Sequence, residues 1–494
     1  MKPVNLFSIS VFCTLFSCAD KTSLAEENQT VKPNILFIAV DDLRPEIGCY
    51  GNLHIKSPNI DRLAERGAVF TNHFVSVPTC GASRYSLLTG MLPKNKGHLS
   101  NEACRNYIAG IPETEMPETF IHHLRRNGYY TVGIGKISHY VDGLLYGYTE
   151  PVGTKYELPH SWDEMLLDYG KWGTGWNSFF GYADGENRQS MNKQVKPYEI
   201  ADVTDTGYPD GLIAEQALDK LGELAKKEEP FFLAVGFFKP HLPFNAPKKY
   251  WDLYNEDEIP LSPNPFIPEN VNRASLHESG EFNGYLLGDE EASLDVPVSD
   301  DYARKLRHAY FACISYIDAQ VGKLIEKLEK EGLAENTIII LWGDHGWHLG
   351  DHLVWGKHTI FERALKSALI VYVPEKNTIK KVDKIVSTVD LYPTIMDLCQ
   401  IEMPHFTDGK SMVPLLTNQS SDWQEASYGY FNSGISLRTN RYRLTKYSRN
   451  SGPVVELYDH NKDPFETKNI AAENPEVIEN LMPLWEKGNT GLFE

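Results

Sequence analysis

Three things are scarce in this chain of 494 residues. Positive charge is the first: 48 lysines and arginines face 67 acids, for a formal net charge of -19. That excludes a general affinity for nucleic acid, although a small basic pocket can sit inside an acidic body. Cysteine is the second. Five cysteines follow Cys18, namely Cys49, Cys80, Cys104, Cys313 and Cys399. Their wide, irregular spacing fits neither a zinc knuckle nor a dense disulfide framework, and an odd number leaves at least one thiol unpaired. Long apolar runs are the third: past the first eighteen residues none approaches the roughly 20 residues of a spanning helix, so a lipid is the membrane attachment left to consider. Low-complexity tracts are absent as well, and 41% hydrophobic residues over this length can bury a large core.

The first eighteen residues hold a lysine, an apolar run and then small residues, the pattern of an export signal. Within it Leu15-Phe16-Ser17-Cys18 resembles a lipoprotein processing box, in which Cys18 would carry the lipid. Residues 19–31 read as a polar tether. From residue 32 the chain alternates buried-strand and amphipathic-helix patterns. "NILFIAVDD", "TVGIGK", "PFFLAVGFFKPHLPF" and "TIIILWGDHG" are apolar runs with polar ends. "SPNIDRLAERG", "SRYSLLTG" and "ARKLRHAYFACISYIDAQVGKLIEKLEKEG" carry helical periodicity. This alternation predicts an α/β layer structure with a mainly parallel sheet over 32–375. Residues 376–494 read as a smaller α+β subdomain with antiparallel strands. Segments 143–205 and 251–300 lack periodicity and read as insertions that shape a binding face.

In such sheets ligands bind beyond the carboxyl ends of the strands, which is where the conspicuous polar residues fall: Asp41 and Asp42, Lys136 and His139, Lys239 and His241, Asp344 and His345. Adjacent carboxylates repel unless a cation neutralises them. Three carboxylates with a donor from His345 suit a hard divalent ion, calcium ahead of zinc. Arg84 follows Cys80 by four residues and shares its face on a helix. With Lys136, His139, His241 and Lys357 it suggests an anionic oxyester held between a metal and several cations.

Cys80-Gly81-Ala82-Ser83-Arg84 followed by Leu88-Thr89-Gly90 resembles the signature of type I sulfatases. "NILFIAVDDLRPEIGCYG", "SPNIDRLAERG", "KPHLPF", "GDHGWHLGDH" and "ELYDHNKDP" make the chain similar to the iduronate-2-sulfatase branch of that family, over roughly residues 33 to 480. The resemblance implies an alkaline-phosphatase-like sandwich: a large, mainly parallel sheet between helices, plus a smaller C-terminal antiparallel sheet. It implies that a maturing, formylglycine-generating enzyme converts Cys80 to formylglycine (3-oxoalanine), whose hydrated aldehyde attacks sulfur. It implies one Ca2+ bound by Asp41, Asp42, Asp344 and His345 together with residue 80. Arg84 would stabilise the hydrated aldehyde, Lys136 and His139 would flank it, and His241 and Lys357 would contact the sulfate, one of them protonating the leaving alcohol.

Gly81-Ala82 stands where Ala-Pro is commoner in the family. Trp347 matches the branch and is expected beside the sugar; His348, where the branch has a small residue, and Arg44, a candidate contact for a uronate carboxylate, complete the expected substrate set. The implied substrate is a sulfated oligosaccharide, either a uronate 2-O-sulfate or a fragment of sulfated polysaccharide, and the implied setting is the periplasm or surface of a bacterium. The rival readings are a phosphodiesterase or phosphonate monoester hydrolase of the same superfamily, and a non-catalytic glycan-binding protein.

Overall fold

A computed structural model describes Met1 and residues 32–493, apart from 112–116, 375, 377, 418–422, 424, 425 and 451. The expected signal and Cys18 lie outside the described residues. No helix among those residues is long and apolar enough to cross a membrane.

In chain order the first elements are β1 (Asn34–Val40), α1 (Pro58–Arg66), β2 (Ala68–Phe74), α2 (Cys80–Thr89), α3 (Phe120–Arg126), β3 (Tyr130–Gly135) and β4 (Glu164–Leu166). Next come α4 (Pro209–Leu224), β5 (Phe231–Phe237), α5 (Asp300–Lys330), β6 (Thr337–Gly343), β7 (Leu369–Tyr372), β8 (Lys381–Ser387) and α6 (Leu391–Leu398). The last strands are β9 (Ser427–Phe431), β10 (Gly434–Arg438), β11 (Tyr442–Tyr447) and β12 (Val454–Asp459).

The main sheet runs β8-β2-β7-β6-β1-β5-β3-β4, with β1 flanked by β5 and β6 in parallel register. Only β7 runs against its neighbours. All seven residues of β1 are buried, because both of its faces are covered. Leu36, Ile38 and Val40 pack with Ile60, Leu63, Ile213 and Ile317 from α1, α4 and α5. Ile35, Phe37 and Ala39 pack on the opposite side with Leu87, Ile121 and Ile395 from α2, α3 and α6. Each such side chain contributes about 1.5–3 kcal/mol through burial, so the central strands are the most firmly held part of the fold. The expected sandwich is therefore present. β9 to β12 form the separate antiparallel sheet. Beyond residue 376, β8 still pairs with β2 in the main sheet, and Leu391 and Ile395 of α6 belong to its core.

Candidate active site

Parallel register brings the polar strand ends together. Val40 lies opposite both Phe237 and Gly343, and Gly135 lies opposite Gly236. Asp41, Lys136, His241 and Asp344 therefore leave the sheet at one edge. At Gly135, φ is +77° and a Cβ would sit 2.3 Å from the Gly236 carbonyl oxygen. Glycine there lets β3 turn Lys136 inward.

Cys80 is the first residue of α2, after the extended Thr79, so the helix begins three residues earlier than the periodicity of "SRYSLLTG" suggests. The Gly81 amide donates to Asn101 Oδ1 at 3.0 Å, and a Cβ at 81 would meet the Asn101 carbonyl oxygen at 2.2 Å. This close approach accounts for glycine where the family more often has alanine. Burial, and then Asp41, push the Cys80 thiol up to about 12. The unmodified side chain is a protonated thiol at neutral pH and a poor nucleophile.

Arg84, fully buried one helical turn on, organises the acids. Its Nε donates to Asp344 Oδ2 at 3.1 Å and its Nη2 to Asp41 Oδ1 at 3.3 Å. Its Nη1 donates to the carbonyl oxygens of Lys136 and Ile137 at 2.5 and 3.0 Å. Lys136 Nζ donates to Asp41 Oδ2 at 2.5 Å. Burial raises the Asp41 carboxyl, but Lys136, His241 and Arg84 outweigh it and hold the group well below its usual range. Asp42, at φ +59°, receives Lys357 Nζ at 3.1 Å on Oδ1, and its amide donates to Asp344 Oδ1 at 2.9 Å. His345 Nε2 lies 3.2 Å from Cys80 Sγ, and its Nδ1 lies 3.2 Å from Asp42 Oδ1.

Asp41, Cys80, Asp344 and His345 each offer a ligand atom within 4.8 Å of the others, all of them buried. Asp42, Cys80 and His241 make a second such group. Burial pushes the Asp42 and Asp344 carboxyls up, and Asp41 adds to both shifts. Carboxylates this close repel one another unless cations offset them, and the two groups, which mix carboxylate oxygens with a thiol and imidazoles, could hold a metal ion.

Opposite the acids stand Lys357, His241 and His139. Lys357 Nζ also reaches Glu281 Oε1 at 3.1 Å, and that oxygen lies 3.1 Å from His241 Nε2. Glu281 comes from a short helix, Gly280–Asn283, inside the aperiodic 251–300 segment. Reasoning from the chain alone missed it, and no spacing signal marks it. His241 Nδ1 faces the Leu242 carbonyl at 2.6 Å. Burial, then Lys357, draw the ring down to about 4. Yet with Nδ1–H given to Leu242, an unprotonated Nε2 would face the Glu281 carboxylate lone pair to lone pair. That contact is attractive only with a proton between Nε2 and Oε1, so we assign the pair a shared proton; here the hydrogen-bond geometry outweighs burial. Burial, then Lys136, hold His139 well below the usual imidazole range, and its Nδ1 is buried without a partner among the described residues.

Three residues expected at the substrate are deeply buried in the protein. Arg44 is 1% exposed, and its Nη1 donates to the Trp347 carbonyl at 2.9 Å and to Asp351 Oδ2 at 2.8 Å, while Nη2 pairs with Glu46. Those acceptors satisfy its charge within the protein. His348 is fully buried between Thr359 Oγ1 at 2.8 Å and the Asp351 carbonyl at 3.1 Å. Trp347 is buried too, with Lys357 Nζ 5.0 Å and the His241 ring 6.4 Å from its ring centre, so it packs against both groups. Further aromatic rings come from the 143–205 insertion. Phe179 lies 4.7 Å from the His241 ring and 4.5 Å from Lys136 Nζ, and Trp176 lies 5.6 Å from the His139 ring.

An α/β sandwich of alkaline-phosphatase type, with an acid-lined cation site and a cationic rim at its strand ends, defines the class of fold and site. The chain belongs to the sulfatase family: the Sulfatase family model matches residues 33–401, and that of the N-sulphoglucosamine sulphohydrolase C-terminal region matches 350–487. Among its relatives, iduronate 2-sulfatase of Homo sapiens is 33% identical over 375 residues, and that of Mus musculus 32% over 384. These alignments take in 72% and 74% of this chain and 62% and 64% of the respective relatives. The fold is also that of a phosphonate monoester hydrolase of Agrobacterium radiobacter, at 24% identity and a TM-score of 0.72, covering 92% of this chain and 96% of that one.

Proposed function

We propose that the chain hydrolyses the sulfate ester of a sugar, with residue 80 matured from cysteine to formylglycine and one calcium ion held by Asp41, Asp42, Asp344 and His345. The observation that carries this reading is the convergence, from separate strand ends, of Cys80 and Arg84 with three buried carboxylates on one side and Lys136, His139, His241 and Lys357 on the other. When present, the hydrated aldehyde supplies the attacking oxygen and the calcium ion offsets the negative charge of the sulfate.

The chain's own residues do the rest. Arg84 fixes Asp41 and Asp344 relative to each other and to the start of α2, so residue 80 enters an oriented site. Lys136 and Lys357, both cationic beside buried acids, bind oxygens of the sulfate and stabilise the charge that builds on them. His139 is neutral at pH 7, and its open Nδ1 can take a proton from the oxygen carried by residue 80. His241 Nε2 gives the proton it shares with Glu281 to the oxygen of the departing alcohol. The buried floor, with Cys80 3% and Lys357 3% exposed, keeps bulk water from competing for these charges.

Residues 1–18 support export to the periplasm or cell surface, with a lipid on Cys18 as the anchor, and the maturing enzyme as an earlier partner. The test is a panel of defined sulfated saccharides assayed beside phosphate diesters and phosphonate monoesters. It uses protein whose residue 80 has been shown by mass to be converted. Sulfate release from the saccharides is expected; turnover of the phosphorus esters alone would replace this reading with its nearest rival.

A further inference from the structure

Beside the catalytic centre lies a cavity of about 440 Å³, lined by Tyr148, Thr149, Trp176, Asn177, Phe180 and Arg188, among others. That volume is within the range of about 300–1,000 Å³ typical of small-ligand sites. Its aromatic wall continues the one behind the reacting groups: Tyr148 stands 4.4 Å from the Trp176 ring and 5.7 Å from Phe180, and Phe180 lies 4.9 Å from Phe179. Tyr148 is 48% exposed. Cations stand along this wall at both of its phenylalanines, Lys136 Nζ 4.5 Å from the Phe179 ring centre and the Arg188 guanidinium 5.1 Å from that of Phe180. No lining residue is acidic, in a chain whose net charge is -19.

Arg188 itself is half-buried, with its guanidinium 5.1 Å from the Phe180 ring centre, and no carboxylate pairs with it among the described residues. Its backbone is nevertheless held. The buried Asn187 accepts the amides of Gln189 and Ser190 on Oδ1 at 3.0 Å each, and the Arg188 carbonyl accepts the Lys193 amide at 2.9 Å. A cation held on a fixed turn, over an aromatic face and without an acid, is prepared for an anion that comes with the substrate.

We propose that Arg188 binds a second anionic group, sulfate or carboxylate, of the saccharide whose sulfate ester is cleaved at residue 80. Substrates with at least two negative charges are then preferred. This rests on the sulfatase reading given above and adds the feature that selects among sulfated sugars.

The experiment measures kcat and KM of matured protein on matched saccharides: one carrying the reacting sulfate alone, one with a second sulfate, and one with a uronate carboxylate. An aryl sulfate with a single charge serves as a fourth substrate. The arm that gains most over the singly charged saccharide identifies the anion. Arg188→Gln is expected to lower the doubly-to-singly charged preference in kcat/KM by about ten- to a hundredfold, mainly through KM, as loss of a hydrogen bond to a charged group does. Arg188→Lys, which keeps the charge and serves as a check against misfolding, should recover part of the preference. An unchanged preference in Arg188→Gln, or equal losses on every substrate, would overturn the subsite alone. Failure of the wild-type protein to release sulfate from any of the four would overturn the sulfatase reading, and the subsite with it.

Discussion

Glu281→Gln tests the proton-donor assignment most directly, because it keeps the shape of the side chain and removes its charge. In the wild-type site Glu281 Oε1 stands 3.1 Å from both His241 Nε2 and Lys357 Nζ. Glutamine leaves Lys357 its contacts with Asp42 at 3.1 and 3.4 Å, so the charge proposed to bind sulfate survives. What is lost is the negative charge that keeps a proton on His241 Nε2 against burial and Lys357, since the glutamine oxygen still accepts but no longer attracts a cation. Hydrogen bonds to charged groups are worth about 1.5–3 kcal/mol, so kcat on a sugar sulfate should fall about ten- to a hundredfold. The same variant should lose much less on an aryl sulfate, whose phenolate leaves with little help from an acid. Steady-state kinetics on the two substrate types, with calcium present, measures the contrast. Equal losses on both leaving groups would assign Glu281 a purely structural role and refute the donor. pH gives an independent check. Burial raises the Glu281 carboxyl, while Lys357 and His241 lower it further, for a net position well below its usual value. Its contribution to stability is therefore present above the ordinary carboxylate pKa of about 4.3 and lost as pH falls through the lowered value. The stability difference between wild type and Glu281→Gln, from chemical denaturation, should shrink as the solution is made more acid than that.

Cys80→Ser should abolish turnover, because a single hydroxyl cannot be converted to the hydrated aldehyde by a maturing enzyme that needs cysteine; circular dichroism and thermal melting should remain near wild type, and full activity would contradict the mechanism. Chelation followed by return of calcium should lower and then restore the melting temperature, and Asp344→Asn should blunt that response, as scanning calorimetry would show. Arg44→Met should cost about 3–5 kcal/mol of unfolding free energy, the usual penalty for breaking a buried pair; any matured protein that survives should bind uronate and neutral sulfated sugars with unchanged relative KM. A selective loss on uronates would return Arg44 to the substrate.

Much of the centre was legible in the chain because it lies at the ends of regular elements. A run such as Ile35–Val40 has to be buried on both faces, and a carboxylate pair directly after it has to lie at a strand terminus. Parallel register then carries Asp41, Lys136 and Asp344 to one edge without further information. The substrate side was hidden for the opposite reason. Glu281, Trp176, Phe179 and Arg188 belong to segments without periodicity, where local sequence sets neither direction nor neighbours. Only packing turns a short helix such as Gly280–Asn283 toward His241. The burial of Arg44, Trp347 and His348 was not legible either. Proximity in sequence to Asp42 and His345 suggested proximity to substrate, but spacing from a strand end does not fix where a side chain packs. Arg44 meets Asp351, and His348 meets Thr359, all of them buried. On the proposed function, the strand ends would carry what any sulfate ester requires, and the insertions the groups that distinguish one sugar from another. Substitutions in the insertions should accordingly alter selectivity before they alter the chemical step, with Glu281 the exception because it reaches across to the proton donor.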